Sequence, residues 1–174
     1  EDIGEYWDIE IRNMYRERTE AGYPKDKIME SIYERGRDNA RTPMQWDDTA
    51  NAGFTTGTPW IGVNPNYVEI NARAEQKDPN SVFHFYRRLI WLRKKYPVFT
   101  EGDFALLMEE DEQIFAYTRT YGETKLLVCA NFSGQPAECP LPDEWKDAET
   151  LIHNYEGGGQ DGRMRPYEAV IKIR

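Results

Sequence analysis

Near Gly102 the spacing of apolar residues changes, and that change restricts the chain to a largely helical part followed by a β part. Upstream, Trp7, Ile11, Met14 and Tyr15 recur at intervals of three and four, which predicts a helix over 6–21 with Gly22 just past its end. Pro24 opens a second helix carrying Ile28, Met29, Ile32 and Tyr33, closed by Gly36. Asp78-Pro79 reads as an N-cap and first helical position, followed by the stripe Val82, Phe85, Tyr86, Leu89, Ile90 and Leu92, with Pro97 as the stop. Downstream, 104–108, 114–119, 125–132 and 168–174 are short β-type runs, with two shorter strands expected around Ala137 and Leu151. These predict an antiparallel sheet or sandwich. The division falls at 1–101 and 102–174, and the class is α+β. The run Gly157-Gly158-Gly159 reads as a flexible loop and matches no phosphate-binding motif.

Between the helices, residues 37–77 hold no sustained period, and Gly53, Gly57, Pro59, Gly62 and Pro65 interrupt them every few residues. Loops of this length in compact domains are usually functional or disordered. Trp46, Phe54, Trp60 and Tyr67 favour an ordered loop packed against something, with Trp46 and Phe54 read as buried anchors ahead of the alternative that they line a pocket.

Charge and composition narrow the partners. Twenty-two basic against thirty-one acidic residues give 22 − 31 = −9, which opposes a nucleic acid or an anionic membrane as the main partner. Arg87, Arg88, Arg93, Lys94 and Lys95 therefore read as the solvated face of a helix, the last three suiting its negative end. An aromatic content of 13% indicates a folded core rather than an acidic disordered segment. No apolar run approaches the roughly 18–20 residues of a membrane span. Glu1-Asp2-Ile3-Gly4 has neither a positive nor an apolar leader segment, and the missing initiator Met fits a piece of a longer protein. Cys129 sits in an apolar run as a small buried hydrophobe, and a bridge to Cys139 is disfavoured in the cytoplasmic setting these features suggest.

Chemistry-bearing motifs are sparse. His84 and His153 are the only histidines and read as structural, leaving little material for a triad or a multi-histidine metal site. No G-x-S-x-G, H-E-x-x-H or Walker pattern occurs, no C-x-x-C exists for zinc, and no cofactor is expected. The carboxylates are too many for spacing alone to single out a catalytic pair.

The long loop carries a resemblance. Arg37-Asp38-Asn39-Ala40-Arg41-Thr42-Pro43-Met44-Gln45-Trp46-Asp47-Asp48, then Asn51-Ala52-Gly53-Phe54-Thr55 and Asn64-Pro65-Asn66-Tyr67, resembles the α-glucosidases of glycoside hydrolase family 13, within the α-amylase superfamily. Its nearest likeness is to oligo-1,6-glucosidases, dextran glucosidases, trehalose-6-phosphate hydrolases and sucrose isomerases. Tyr6-Trp7-Asp8-Ile9-Glu10, Asn13-Met14-Tyr15, the segment 83–93, Leu151-Ile152-His153-Asn154-Tyr155 and Arg165-Pro166-Tyr167-Glu168-Ala169 carry the likeness along the whole chain.

The resemblance implies the end of a (β/α)8 barrel (a helical tail, a long sugar-pocket loop and the last barrel helix), then a small antiparallel β-sandwich. It implies a retaining parent enzyme acting on short α-glucosides. The nucleophile, acid/base and third acid would lie upstream, as would a calcium-type site. This chain would then hold no catalytic residue, no metal ligand and no activity alone. Its substrate contacts would be Arg41, whose guanidinium offers five fixed donors to sugar hydroxyls, with Arg37 and Asp38 beside it. The Thr42-Pro43 step would stiffen the turn that aims Arg41. The expected partners are the barrel portion of the same protein and, for the isolated chain, further copies of itself. Competing readings are a noncatalytic carbohydrate-binding or scaffold module, and a transporter-associated homologue with a degenerate site.

Overall fold

The computed structural model describes residues 2–156 and 162–174, so the expectation for Gly157-Gly158-Gly159 lies outside the described residues. Backbone packing gathers the chain into two compact units, Glu1–Phe83 and His84–Arg174.

In the first unit, α1 runs Ile9–Glu20 and α2 Lys25–Arg35. The first helix begins later than its apolar period suggests. Residues Ile3–Glu5 form a separate 3-10 turn, and Asp8 is the N-cap, its carboxylate accepting from the Glu10 amide. Gly22 takes a left-handed φ of 82°, as the residue after a helix end commonly does. Tyr6, Ile11, Ile28 and Ile32 form the core between the two helices, with Met14, Tyr15 and Met29 packed against it. The long loop contains 3-10 turns at Arg37–Ala40, Ala50–Gly53 and Pro65–Val68, then the short helix α3, Ala72–Lys77.

The reading of Asp78 as an N-cap is corrected. Asp78 is the C-cap of α3, its carboxylate accepts from the Asn80 amide two residues on, and α4 begins at Val82. An Asx-type turn has taken the side chain that sequence assigned to the helix. Helix α4 extends Val82–Lys95, and α5 covers Val98–Glu101. Of the expected stripe on α4, Leu92 is buried, whereas Val82, Tyr86 and Ile90 are exposed, beside exposed Phe83 and Trp91.

The second unit is built on an antiparallel sheet. Its strands are β1 (Asp103–Leu107), β2 (Ile114–Tyr121), β3 (Thr124–Asn131), β5 (Glu149–His153) and β7 (Ala169–Ile173), in the order β1-β2-β3-β7-β5. A second layer pairs β4 (Ala137–Glu138) with β6 (Arg163–Met164), the latter too short to show a period. Because side chains alternate along each strand, Ile114, Ala116, Leu127 and Cys129 face one way and meet Ala137, Cys139, Trp145 and Met164 of the second layer. Leu126 and Ile173 face the other way and pack with Val98 of α5. This is the small sandwich expected from the sequence. Residues 84–101 fall in this unit, where α5 covers one face of the sheet and the Arg119 guanidinium donates to the Val98 and Gly102 carbonyls at 3.1 and 2.7 Å. No helix among the described residues is long and apolar enough to cross a membrane.

One buried carboxylate joins the end of β5 to the start of β7. Glu168, 1% exposed, accepts the Arg165 amide at 2.6 Å and the Arg165 guanidinium at 3.0 and 3.1 Å, and its other contact is His153 Nε2 at 2.5 Å. Burial pushes its pKa up, but these hydrogen bonds outweigh burial and hold it at about 2. His153 thus has the structural hydrogen-bonding role expected of it.

Because that pKa lies below the ordinary value of 4.5, the contribution to stability is complete above about pH 4.5 and is lost as pH falls toward about 2. Glu168→Gln should lower unfolding stability by about 3–5 kcal/mol, the usual cost of breaking a buried pair. Urea titrations at neutral pH and at successively lower pH check both statements: the gap between wild type and variant should shrink as the carboxylate protonates.

Candidate sugar-pocket loop

Asp8, at the start of α1, anchors the first half of the loop. Its carboxylate side chain is 2% exposed and receives Arg37 in a two-pronged contact, Nε to Oδ2 at 2.7 Å and Nη2 to Oδ1 at 3.0 Å. The hydrogen bond from Arg37 holds the Asp8 carboxyl below its ordinary pKa, assisted by the Glu10 amide and by the Arg41 charge. Arg37 also reaches Glu10 at 2.9 Å. Asp38 turns inward instead. Its Oδ2 accepts the Trp7 and Asp8 amides at 2.7 and 2.8 Å, satisfying two donors ahead of α1.

The structure therefore brings Arg37, Asp38 and Arg41 together around Asp8, a residue that sequence reasoning did not single out. The apolar period of the first helix, taken to begin at Trp7, runs past Asp8 and gave no sign of its N-cap role. The two arginines differ. Arg37 is held closely by Asp8 and Glu10, whereas Arg41 donates one long hydrogen bond to Asp38 at 3.4 Å and lies 3.6 Å from Asp8; the two side chains are similarly exposed, at 53% and 45%. Pro43, two residues on in sequence, is buried.

The second half of the loop is fixed by backbone geometry. Asn51 and Ala52 both adopt left-handed conformations (φ 54° and 57°), and Gly53 follows at φ 65°. This reversal presents the Ala52 carbonyl to the Trp46 amide at 2.9 Å and the Asp47 amide at 3.2 Å. The Asn51 side-chain amide donates to the Thr55 and Gly57 carbonyls. Asp47 accepts from Thr49 and pairs with Arg73 at 2.6 Å, so hydrogen bonds to Thr49 hold its carboxyl below the ordinary range. The Gln45 side chain donates to Asn66 Oδ1 and to the Ile70 carbonyl. Trp46 and Phe54 are not the buried anchors expected: they are 54% and 45% exposed, and hydrogen bonding rather than ring burial orders the loop. Among the described residues no group of three or more His, Cys, Asp or Glu side chains is placed to hold a metal ion.

Comparison with known proteins fits this geometry to a family. The model described as "Alpha amylase, catalytic domain" matches residues 5–102, and "Alpha-amylase SusG C-terminal domain" matches residues 114–171. The chain belongs to the α-amylase family. It is 52% identical to an oligo-1,6-glucosidase of Parageobacillus thermoglucosidasius over 99% of its own length and 32% of that protein. It is 48% identical to a trehalose-6-phosphate hydrolase of Bacillus subtilis, covering 98% of this chain and 31% of the relative. Among solved structures, the trehalose-6-phosphate hydrolase of Bacillus licheniformis superimposes with a TM-score of 0.91 at 43% identity, over 99% of this chain and 32% of that one. The chain thus spans about a third of the length of the curated relatives it matches.

Two substitutions probe the loop. Asp38→Ala leaves the Trp7 and Asp8 amides without their acceptor, a loss of about 1–3 kcal/mol for each unsatisfied group. Hydrogen exchange at those two amides should accelerate while the amides of β2 and β3 are unchanged. Gly53→Ala would place a Cβ 2.7 Å from Asp47 Oδ1 at a left-handed φ, so exchange of the Trp46 amide should quicken as the reversal opens.

Proposed function

We propose that the chain is the C-terminal part of a retaining α-glucosidase that hydrolyses short α-linked glucosides such as isomalto-oligosaccharides, and that the loop 37–46 forms one wall of its sugar pocket. The carrying observation is the contrast in pairing between two arginines of similar exposure: Arg37 is committed to Asp8 and Glu10 at 2.7 and 2.9 Å, while Arg41 is only loosely paired, at 3.4 and 3.6 Å. A guanidinium only loosely paired with carboxylates keeps donors for a pair of adjacent sugar hydroxyls. Asp8, Arg37 and Asp38 position it. The retaining reaction needs one carboxylate to attack the sugar and another to act as acid and then base, and the rest of the parent protein supplies both. The oligo-1,6-glucosidase and trehalose-6-phosphate hydrolase relatives support this reading, and the barrel portion of the same protein is the partner it requires.

In the parent enzyme, Arg41→Ala should lower kcat/KM for isomaltose about 10–100-fold, the scale of one charge-assisted hydrogen bond. Arg41→Lys should recover only part, since an ammonium cannot reproduce the fork. The isolated chain should show no isomaltose hydrolysis; turnover by it would refute the division of labour. Saturable sugar binding to the isolated chain that survives Arg41→Ala would instead favour a carbohydrate-binding module in the β unit.

The exposed face of α4 belongs to the same proposal. Val82, Phe83, Tyr86, Ile90 and Trp91 present apolar surface that the barrel portion would cover. Burial is worth roughly 1.5–3 kcal/mol per large side chain, so the isolated chain should self-associate through this face. Sedimentation velocity should show association rising with concentration and suppressed by the double substitution Tyr86→Glu, Ile90→Glu.

A further inference from the structure

A cavity of about 400 Å³ lies between the two layers of the β unit, within the size range of small-molecule sites. Its sheet side is formed by Cys129 of β3, Thr150 and His153 of β5, and Val170 and Lys172 of β7. Its opposite wall comes from 139–141, Lys146 and the β6 strand with Arg163 and Met164. Alternation along β7 explains the arrangement. Ile171 and Ile173 pack on the α5 side, which leaves Val170 and Lys172 on the cavity side.

The wall is apolar in one part and cationic in another. Leu141, Met164, Val170 and the two thiols offer apolar and weakly polarisable surface. Lys146, Arg163 and Lys172 contribute three positive charges against one carboxylate, Glu168, which Arg165 already satisfies. In a chain of net charge −9 this is a locally basic cavity. The three cations are not equivalent. Lys146 pairs with Asp143 at 2.6 Å, and Arg163 faces Glu138 at 3.8 Å. Lys172 donates to the Trp145 and Lys146 carbonyls at 2.9 and 3.4 Å, and among the described residues no carboxylate lies within ion-pair distance of it. An ammonium carries three donors, so these two carbonyls leave it one donor and its whole charge.

We infer that this interlayer cavity binds a small organic anion, its apolar part against Met164, Leu141 and Val170 and its charged head at Lys172. A neutral polar ligand would leave the ammonium without a counter-charge, and a purely apolar one would desolvate it. A carboxylate on a short hydrocarbon tail satisfies both parts of the wall. The site is separate in sequence and in unit from the arginine loop, so its failure would leave the proposed glucosidase role intact.

The chain carries its own reporter, because its only two cysteines, Cys129 and Cys139, both line this cavity and are otherwise buried. Hexanoate should slow their modification by methyl methanethiolsulfonate saturably, and hexan-1-ol should protect less well. Lys172→Met keeps the hydrocarbon stem and should weaken hexanoate protection about tenfold, one lost charge-assisted hydrogen bond, while leaving hexan-1-ol unchanged. Absence of protection, equal protection by the alcohol, or undiminished protection in the variant would each overturn the inference. Should the variant fail to fold, or the thiols, only 1% and 3% exposed, resist the reagent, amide shifts in the unaltered chain decide. Hexanoate-induced changes centred on Cys139, Met164 and Val170 support the site, and changes confined to the exposed face of α4 refute it.

Discussion

A carboxylate taken out of water must be met by cations and amide donors, and each unit of this chain is organised around that requirement. In the first unit the carboxylates are Asp8 and Asp38, both nearly fully buried. Asp8 draws Arg37 across twenty-nine positions of sequence, and Asp38 caps the amides of Trp7 and Asp8. The entry to α1 and the start of the long loop are thereby one structure. In the second unit Glu168 does the equivalent work between β5 and β7, held by Arg165 and His153. Neither arrangement adds much net stability over a well-packed apolar alternative. What each secures is register: removing one partner strands a buried charge, so the loop and the helix or strand ends must stay where they are.

This explains why neighbouring residues of the same motif have different fates. Arg37 and Asp38 are consumed in satisfying each other's surroundings, and Arg41 is the charge left over. Its hydrogen bond to Asp38 Oδ1 is long at 3.4 Å and Asp8 lies at 3.6 Å, while Asp8 and the other oxygen of Asp38 have closer partners. A guanidinium oriented by a negative field yet short of hydrogen bonds is preorganised for a hydroxyl-rich ligand at little reorganisation cost. The proposed sugar contact rests on that imbalance rather than on the motif's spelling.

Much of the fold was legible because burial imposes a period. The cores of α1 and α2 and the strands β1, β2, β3 and β7 follow from apolar spacing, and the short strands near Ala137 and Leu151 were expected as additions that complete the sheet. The pair β4–β6 has two residues on each side, too few for any period, so β6 could not be seen. Asp78 misled because its side chain serves an Asx-type turn while its backbone ends α3, a choice made by local hydrogen bonding that composition does not encode. Asp8 escaped notice for a different reason. Its partner is remote in sequence, and ion pairs carry no periodic signal. Trp46 and Phe54 show the converse error: aromatic rings in a loop suggest burial, but here backbone and side-chain hydrogen bonds order the segment and leave both rings exposed.

The remaining oddity of the loop is its strain. A non-glycine residue in the left-handed region costs of order 1–3 kcal/mol, and Asn51 and Ala52 occupy it in succession. Asn tolerates this conformation better than most residues, but Ala has no such allowance. The cost is opposed by identifiable bonds: two amides converge on the Ala52 carbonyl, and the Asn51 side chain satisfies two further carbonyls. Ala52 itself is fully buried, which leaves no room for a longer side chain. Strain of this kind persists where the surrounding contacts over-determine it, and it collects at binding loops. Ten positions beyond Arg41 in the same loop (51 − 41 = 10), this strain adds to the proposal that the segment is shaped for a ligand.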